Sequence, residues 1–194
     1  MSDALVQHIR KFVSVEEHEV TEMASFFQLK TASKKENLLR ESEVCKTNFF
    51  VVKGCLRLFF INDKGIEQTT QFAIENWWLS DYMSLLTQQP SGFFIQAVEK
   101  TEIVLLHHHL QEQLFTNFPQ LERYFRLMYQ RAYAASQIRM KYLHDYSREE
   151  MYYHFVRYFP EFVQRIPQYL LASYLGFTPE YLSEIRKKAV LKPV

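Results

Sequence analysis

The chain has 194 residues, of which 47% are hydrophobic and 16% aromatic, and this composition excludes a disordered or low-complexity protein. The formal net charge is +1, from 23 basic and 22 acidic residues, which argues weakly against a strongly electrostatic nucleic-acid binder. No run of about 18 apolar residues is present, and residues 1–13 contain no apolar signal core, so we expect a cytoplasmic protein with no membrane partner.

The N-terminal segment is predicted to be helical, because Ser14 and Glu17 have the spacing of a capping box. From Asn48 to Leu106 the pattern changes to short β-prone runs separated by turns, with residues 62–65 as a hairpin loop. Strands at this spacing predict a roll or a barrel. The predicted strands are 48–52, 55–61, 66–74, 93–98 and 102–106.

The sequence contains two cysteines, Cys45 and Cys55. Their spacing matches neither a CxxC pair nor a disulfide framework, and two thiolates are too few for an iron–sulfur cluster. We expect free thiols on or near strands, with a structural disulfide as the alternative.

A long helix is predicted between Pro119 and Tyr146, because Pro119 fits a first helical turn and apolar residues recur with heptad spacing after it. This stripe is either the buried face of an ordinary helix or the seam of a parallel dimer, and the residues alone leave both interpretations open. The residues of the stripe are Leu121, Tyr124, Met128, Ala135, Ile138 and Tyr142.

A separate helical unit is predicted after Tyr146. A second capping box, Ser147 with Glu150, predicts the start of a helix that ends at Pro160. From Gln168 to Lys187 the sequence then meets the steric requirements of a helix-turn-helix, although an ordinary pair of antiparallel helices is the alternative.

Each requirement of the helix-turn-helix falls on a suitable residue. Ala172 is small where the helices cross, and Gly176 suits a left-handed turn. Thr178 suits an N-cap and Pro179 a first helical position. The apolar residues that would fill the wedge between the helices are Leu171, Leu175, Phe177, Leu182 and Ile185.

The outward side of the second helix would face base edges in a major groove, and its basic end would contact phosphates. That basic end has an alternative interpretation, a solvated helix terminus that complements the helix dipole. The candidate DNA-contacting residues are Thr178, Pro179, Glu180, Tyr181, Ser183, Glu184, Arg186, Lys187 and Lys188.

A strand roll, a long helix and a terminal helix-turn-helix together resemble the Crp/Fnr family of transcription regulators, and short Bacteroidetes-type members most. Phe50–Arg57 is similar to the family's FVxxGxxR hairpin, and Leu171–Lys188 is similar to its recognition motif. The resemblance implies an α+β fold with an N-terminal β-roll, a cyclic-nucleotide-binding-like jelly roll with flanking helices, over 1–118. A long dimerisation helix over 119–146 and an all-α helix-turn-helix domain over 147–194 would follow.

The resemblance also implies a regulator that works as a homodimer on a palindromic double-stranded DNA site, with RNA polymerase as a further candidate partner and an effector bound in the roll. Two family features are missing. Recognition helices of the family usually carry an arginine facing the bases, where this chain has Pro179 and Glu184. Ser80-Asp81 and Ser91-Gly92 stand where cyclic-AMP-binding members have Gly-Glu and Arg-Ser.

Without the arginine, nothing compensates a buried cyclic phosphate, and Asp81 would repel it. We therefore expect no binding of cyclic AMP or cyclic GMP, and the effector is unknown. Nearby aromatic residues either form core or line a pocket for an apolar effector. The residues assigned to this degenerate cassette are Ser80, Asp81, Tyr82, Ser91, Gly92 and Phe93.

Other chemistry has little support in the sequence. The consecutive histidines 107–109 alternate faces if they lie on a strand, so no metal site is predicted, although a surface site at a strand-to-helix junction is an alternative. No catalytic motif is present, and no catalytic residue is assigned. Two further alternatives are a dimeric interaction module that has lost specific DNA binding, and a constitutive DNA binder without an effector.

Overall fold

The computed structural model describes residues 2–191, with side chains as far as Lys188. Two four-stranded antiparallel sheets form a roll, with strand orders β1-β8-β3-β6 and β2-β7-β4-β5. The strands of the first sheet are β1 (Phe27–Ala32), β3 (Thr47–Lys53), β6 (Trp78–Leu79) and β8 (Thr101–His107). Those of the second are β2 (Asn37–Leu39), β4 (Leu56–Ile61), β5 (Glu67–Ala73) and β7 (Phe94–Ala97).

Strand β3 is buried on both faces, and the alternation of its side chains separates two apolar cores. Phe49 and Val51 lie in the core of the roll with Leu56 and Leu58 of β4. Phe50 points the other way, into a second core that includes helical residues. This double burial explains why β3 reads as a nearly continuous apolar run rather than an alternating one.

Helices cover the outer face of the first sheet. Leu5 and Ile9 of the first helix, Leu114 of the fourth, and Leu121 and Phe125 of the fifth are all buried in this second core. The first five helices are α1 (Asp3–Arg10), α2 (Glu17–Met23), α3 (Tyr82–Thr87), α4 (His108–Asn117) and α5 (Gln120–Asp145).

The chain divides into two compact units, and the division falls inside α5. The first unit comprises residues 1–60 and 70–131, and the second comprises 61–69 and 132–194. The second unit contains α6 (Arg148–Tyr158), α7 (Pro160–Arg165), α8 (Gln168–Leu175) and α9 (Pro179–Leu191). It has its own apolar core.

The α+β fold is confirmed, with local differences. The first capping box lies at Glu16 and Glu19, so the prediction at Ser14 and Glu17 was wrong. Strands β1, β2 and β6 were not predicted, and in β1 the exposed residues give little apolar signal. Helix α6 ends at Tyr158 with Phe159 as its C-cap, and Pro160 is the first residue of α7. The capping box of Ser147 and Glu150 is confirmed.

Both cysteines are buried thiols that form no disulfide among the described residues, as predicted. The histidine tract spans the junction between β8 and α4, and the rings of His107 and His109 stack with centroids 5.8 Å apart. Among the described residues, no group of three or more His, Cys, Asp or Glu side chains is placed to hold a metal ion.

A buried hydrogen-bonded trio ties α1 and the first sheet to α5. The Tyr124 hydroxyl lies 2.8 Å from His8 Nδ1 and accepts a hydrogen bond of 2.9 Å from Trp78 Nε1. Burial, helped by the positive charges of Lys11 and Arg131, lowers the pKa of His8 from 6.5 to about 4. His8 is therefore neutral in the folded protein at neutral pH.

We expect the folded state to lose stability as the pH falls from 6.5 towards 4. The unfolded chain takes up a proton at His8 near pH 6.5 and the folded chain, with its lowered pKa, only near 4, so acid favours unfolding. The loss attributable to His8 is about 1–2 kcal/mol after allowance for solvent screening. Urea unfolding of wild type and His8→Phe at pH 7.5 and 4.5 measures this loss of stability. Equal losses in the two proteins would contradict the assignment of the loss to His8.

Candidate nucleic-acid interface and effector cassette

The turn between α8 and α9 has the local geometry that the sequence predicted. Gly176 has a φ of +74°, in the left-handed region that favours glycine. The Phe177 amide donates to the carbonyl of Ala172 at 2.8 Å and closes the end of α8. Thr178 Oγ1 accepts from the Tyr181 amide at 3.2 Å, which caps the start of α9.

The wedge between α8 and α9 is apolar and closed. Ala172 is fully buried, which allows the two helices to approach closely. Tyr152 of α6 and Val163 of α7 belong to the same core and support the pair from the other side. The predicted wedge residues Leu171, Leu175, Phe177, Leu182 and Ile185 are all buried in this core.

The opposite side of α9 is open. Of the predicted DNA-contacting residues, only Tyr181 is half-buried, and its ring meets that of Phe177 edge to face at 5.7 Å. The exposed ones are Thr178, Pro179, Glu180, Ser183, Glu184, Arg186, Lys187 and Lys188. An apolar inner face and a polar outer face are what a helix needs to enter a DNA groove.

The basic end of α9 is partly organised by neighbouring side chains. Lys188 Nζ lies 3.4 Å from Glu149 Oε1 in an exposed ion pair. Arg186 lies beside the Tyr152 hydroxyl, where burial raises the pKa of that tyrosine and the guanidinium opposes the rise. The side chains of Arg186, Lys187 and Lys188 are all exposed to solvent.

A contact that the sequence did not reveal holds α8 within the second unit. Ser173 Oγ donates to the carbonyl of Glu67 at 2.8 Å and accepts from the Thr69 amide at 2.9 Å. Arg139 of α5 donates to the carbonyl of Tyr174 at 2.8 Å, and its guanidinium lies 3.7 Å from the centre of that ring. Ser173 and Thr69 are 104 residues apart, so no local pattern could have indicated this contact.

In the predicted effector cassette, Asp81 and Ser91 bind each other. Ser91 Oγ donates to Asp81 Oδ2 at 2.6 Å, and both residues are buried. Asp81 Oδ1 accepts from the amides of Met83 and Ser84 and caps α3. Both side-chain oxygens of Asp81 are thus used in hydrogen bonds inside the chain.

The remaining cassette residues are divided between core and surface. Ser80 Oγ is buried and donates to the carbonyl of Thr47 at 3.0 Å. Burial raises the pKa of Tyr82, whose ring meets Tyr129 edge to face. The half-buried Phe93 packs edge to face on Phe60, and a side chain at Gly92 would meet open space.

We expect Ser91→Ala to destabilise the first unit by about 1–3 kcal/mol, because it leaves a buried carboxylate oxygen of Asp81 without its side-chain donor. Chemical unfolding of the purified variant measures this loss. Thr87→Ala is the matched control. Thr87 is the last residue of α3, the helix that Asp81 caps, and its hydroxyl is an exposed donor. Equal stability of Ser91→Ala and Thr87→Ala would show that the Asp81 contact contributes nothing.

The stripe predicted along α5 faces this chain's own interior at its N-terminal end. Leu121 and Tyr124 are fully buried in the first unit and Met128 packs against the same core, so these residues offer little surface to a partner. Tyr142 is half-buried, with its ring stacked on Tyr146. Only Ala135 and Ile138 of the predicted stripe are exposed.

Solved regulators share this fold over most of their length. The c-di-GMP responsive global regulator CLP of Xanthomonas campestris aligns with a TM-score of 0.72 and 14% identity, covering 91% of this chain and 92% of that chain. FixK2 of Bradyrhizobium japonicum aligns with a TM-score of 0.69 and 17% identity, covering 85% of each chain. The catabolite activator protein of Thermus thermophilus aligns with a TM-score of 0.56 and 20% identity, covering 91% and 84%.

The predicted resemblance to Crp/Fnr regulators is therefore confirmed at the level of the fold. No protein-family model and no curated protein sequence matches the chain. Among the described residues, no helix combines the length and the apolarity needed to cross a membrane.

Proposed function

We propose that this protein is a cytoplasmic, sequence-specific DNA-binding transcription regulator rather than an enzyme. The observation that carries the proposal is the helix-turn-helix of α8 and α9, with its buried inner wedge and its exposed outer face ending in three cations. RNA polymerase is a further proposed partner.

The regulator is proposed to act as a homodimer, through a different side of α5 from the one that the heptad pattern indicated. Tyr133, Met140 and Leu143 are 67%, 57% and 46% exposed. Their separations of seven and three residues place them on one side of the helix, with the spacing of a coiled-coil seam. A second copy aligned in parallel would bury this seam and present two recognition helices to a palindromic site.

The effector is proposed to be something other than a cyclic nucleotide. The hydrogen bond between Ser91 and Asp81 supports this, because a cyclic phosphate would have to displace it and then lie against a carboxylate. We expect 1 mM cyclic AMP or cyclic GMP to leave the melting temperature unchanged, whereas a ligand of the folded state would raise it. A rise with either nucleotide would overturn this part of the proposal.

Binding to a pool of genomic promoter fragments tests the function. We expect the protein to select a few fragments over bulk DNA and to lose affinity steeply as salt rises, because cations would be displaced from phosphates. The exposed acidic residues Glu180 and Glu184 on the same helix favour a second candidate, an interaction module without specific DNA binding. No preference for any fragment at any salt concentration, with cell extract present as a source of effector, would favour that candidate.

A further inference from the structure

The outer face of α9 carries two carboxylates at its centre. Leu182 and Ile185 are fully buried and define the inner side of the helix. With about 3.6 residues per turn, the direction opposite to them is the one that Glu180, Ser183 and Glu184 share. All three of these side chains are exposed. They lie in the first two turns of α9, the part of a recognition helix that approaches base edges.

The cations of α9 do not neutralise Glu184. Lys188 is four residues further on, the spacing of a helical ion pair, but its Nζ lies 3.4 Å from Glu149 of α6 instead. Arg186 lies beside the Tyr152 hydroxyl, also on α6. Among the described residues Glu184 forms no ion pair. Its negative charge is therefore presented to solvent on the face that would meet DNA.

The helix dipole explains Glu180 but not Glu184. Glu180 lies in the first turn of α9, where a carboxylate stabilises the positive end of the helix. This effect fades within the first turn, so Glu184, one turn further on, gains little from it. A negative charge on this face is also repelled by phosphates within about 10 Å at 0.1 M salt. An acidic side chain at this position therefore lowers affinity for DNA unless a base compensates it.

A carboxylate accepts hydrogen bonds and donates none, which limits the bases that it tolerates. In the major groove guanine presents two acceptors, and thymine presents one acceptor and a methyl group. Adenine presents a donor beside an acceptor, whereas cytosine presents a donor alone, its N4 amino group. Cytosine is therefore the base that a carboxylate can contact without facing an acceptor of that same base.

We propose that Glu184 is a specificity-determining residue, which selects cytosine at one position of each half-site by accepting a hydrogen bond from its N4 amino group. This inference rests on the proposed function, because it needs α9 in a major groove. Repulsion of the other bases contributes to the selection as well as attraction to cytosine. The acidic face, which also favours the interaction module, then takes part in reading DNA.

Fluorescence anisotropy with the strongest selected genomic fragment tests this role. Each base pair of both half-sites is replaced in turn by the other three, and Kd is measured for the full-length wild type and for Glu184→Gln. We expect wild type to lose about 5–150-fold in affinity for each half-site when the cytosine at one position is replaced. We expect Glu184→Gln to prefer adenine at that position alone, because glutamine pairs with the N6 and N7 atoms of adenine.

Glu161→Gln is the matched control, because Glu161 is an exposed carboxylate of α7 and its replacement changes the net charge by the same amount. We expect this control to keep the preference for cytosine. If Glu184→Gln binds all sequences more tightly with unchanged preferences, Glu184 is only a repulsive charge and the proposal is overturned. A wild type that selects fragments but requires cytosine at no position would overturn it too. A wild type that prefers no fragment would instead overturn the regulator function, and this inference with it.

Discussion

Replacing Met140 and Leu143 by glutamate is expected to convert the proposed dimer into a monomer and to lower affinity for any selected DNA at least about 100-fold. Both side chains lie on the exposed seam of α5, where a second copy would bury two pairs of like charges. A monomer contacts one half-site and loses the gain from simultaneous binding of two. Sedimentation equilibrium and fluorescence anisotropy measure the two effects.

The matched control is Ala134→Glu combined with Ile138→Glu, which places two charges on another side of the same helix. Ile138 belongs to the stripe that the sequence predicted and is 51% exposed, so this variant also compares the two seams. We expect the control to remain dimeric. Dissociation of the control with a stable Met140→Glu/Leu143→Glu dimer would place the seam where the heptad pattern put it.

Removing Arg186 and Lys187 together is expected to lower affinity for specific and bulk DNA alike, by about 10–100-fold near 0.1 M salt. Both side chains are exposed at the end of α9 and would neutralise phosphates without reading bases. The slope of log K against log salt should fall in magnitude by about 1.8, or 0.9 for each phosphate that the variant no longer neutralises. Anisotropy titrations at four salt concentrations measure both quantities for the double alanine variant.

The control for this pair removes two exposed charges from α5 instead, with Arg123→Ala and Lys141→Ala. It changes the net charge by the same amount, so it separates local contacts from the overall field of the protein. We expect its salt slope to match that of wild type. An equal loss in both double variants would mean that α9 contacts no phosphates.

The helix-turn-helix could be predicted from the sequence because its constraints are local and steric. Ala172, Gly176 and Thr178 lie within seven residues, and each meets a requirement of the backbone rather than of a distant partner. In the structure they are the buried crossing point, the left-handed turn and the N-cap.

The face of α5 that we propose for dimerisation could not be predicted in the same way. A heptad stripe shows only that one side of a helix is apolar, not what covers that side. Leu121 and Tyr124 are covered within the chain, by residues of α1, β3 and β6. The exposed seam contains fewer large apolar residues, and the polar residues between them make its heptad spacing difficult to recognise in the sequence. Only the tertiary structure shows which stripe remains uncovered.

For the cassette, the sequence indicated that a cation is missing but not which contact Asp81 makes instead. The missing arginine predicted that a cyclic phosphate would lack a counter-ion, and the structure adds that Ser91 donates to Asp81 in its absence. Ser173 was not singled out, because its partner Thr69 is 104 residues away in the chain. Isolated polar residues in a sequence carry no sign of the partners that they will meet or lack.

Footprinting of the strongest selected genomic fragment tests the regulator most directly. We expect two protected half-sites related by a palindrome, with centres about 10–10.5 base pairs or a multiple of that distance apart, because two recognition helices would enter successive major grooves. Protection should weaken in the Arg186→Ala/Lys187→Ala variant. Uniform protection without half-sites, or none on any fragment at low salt, would contradict sequence-specific binding by a dimer.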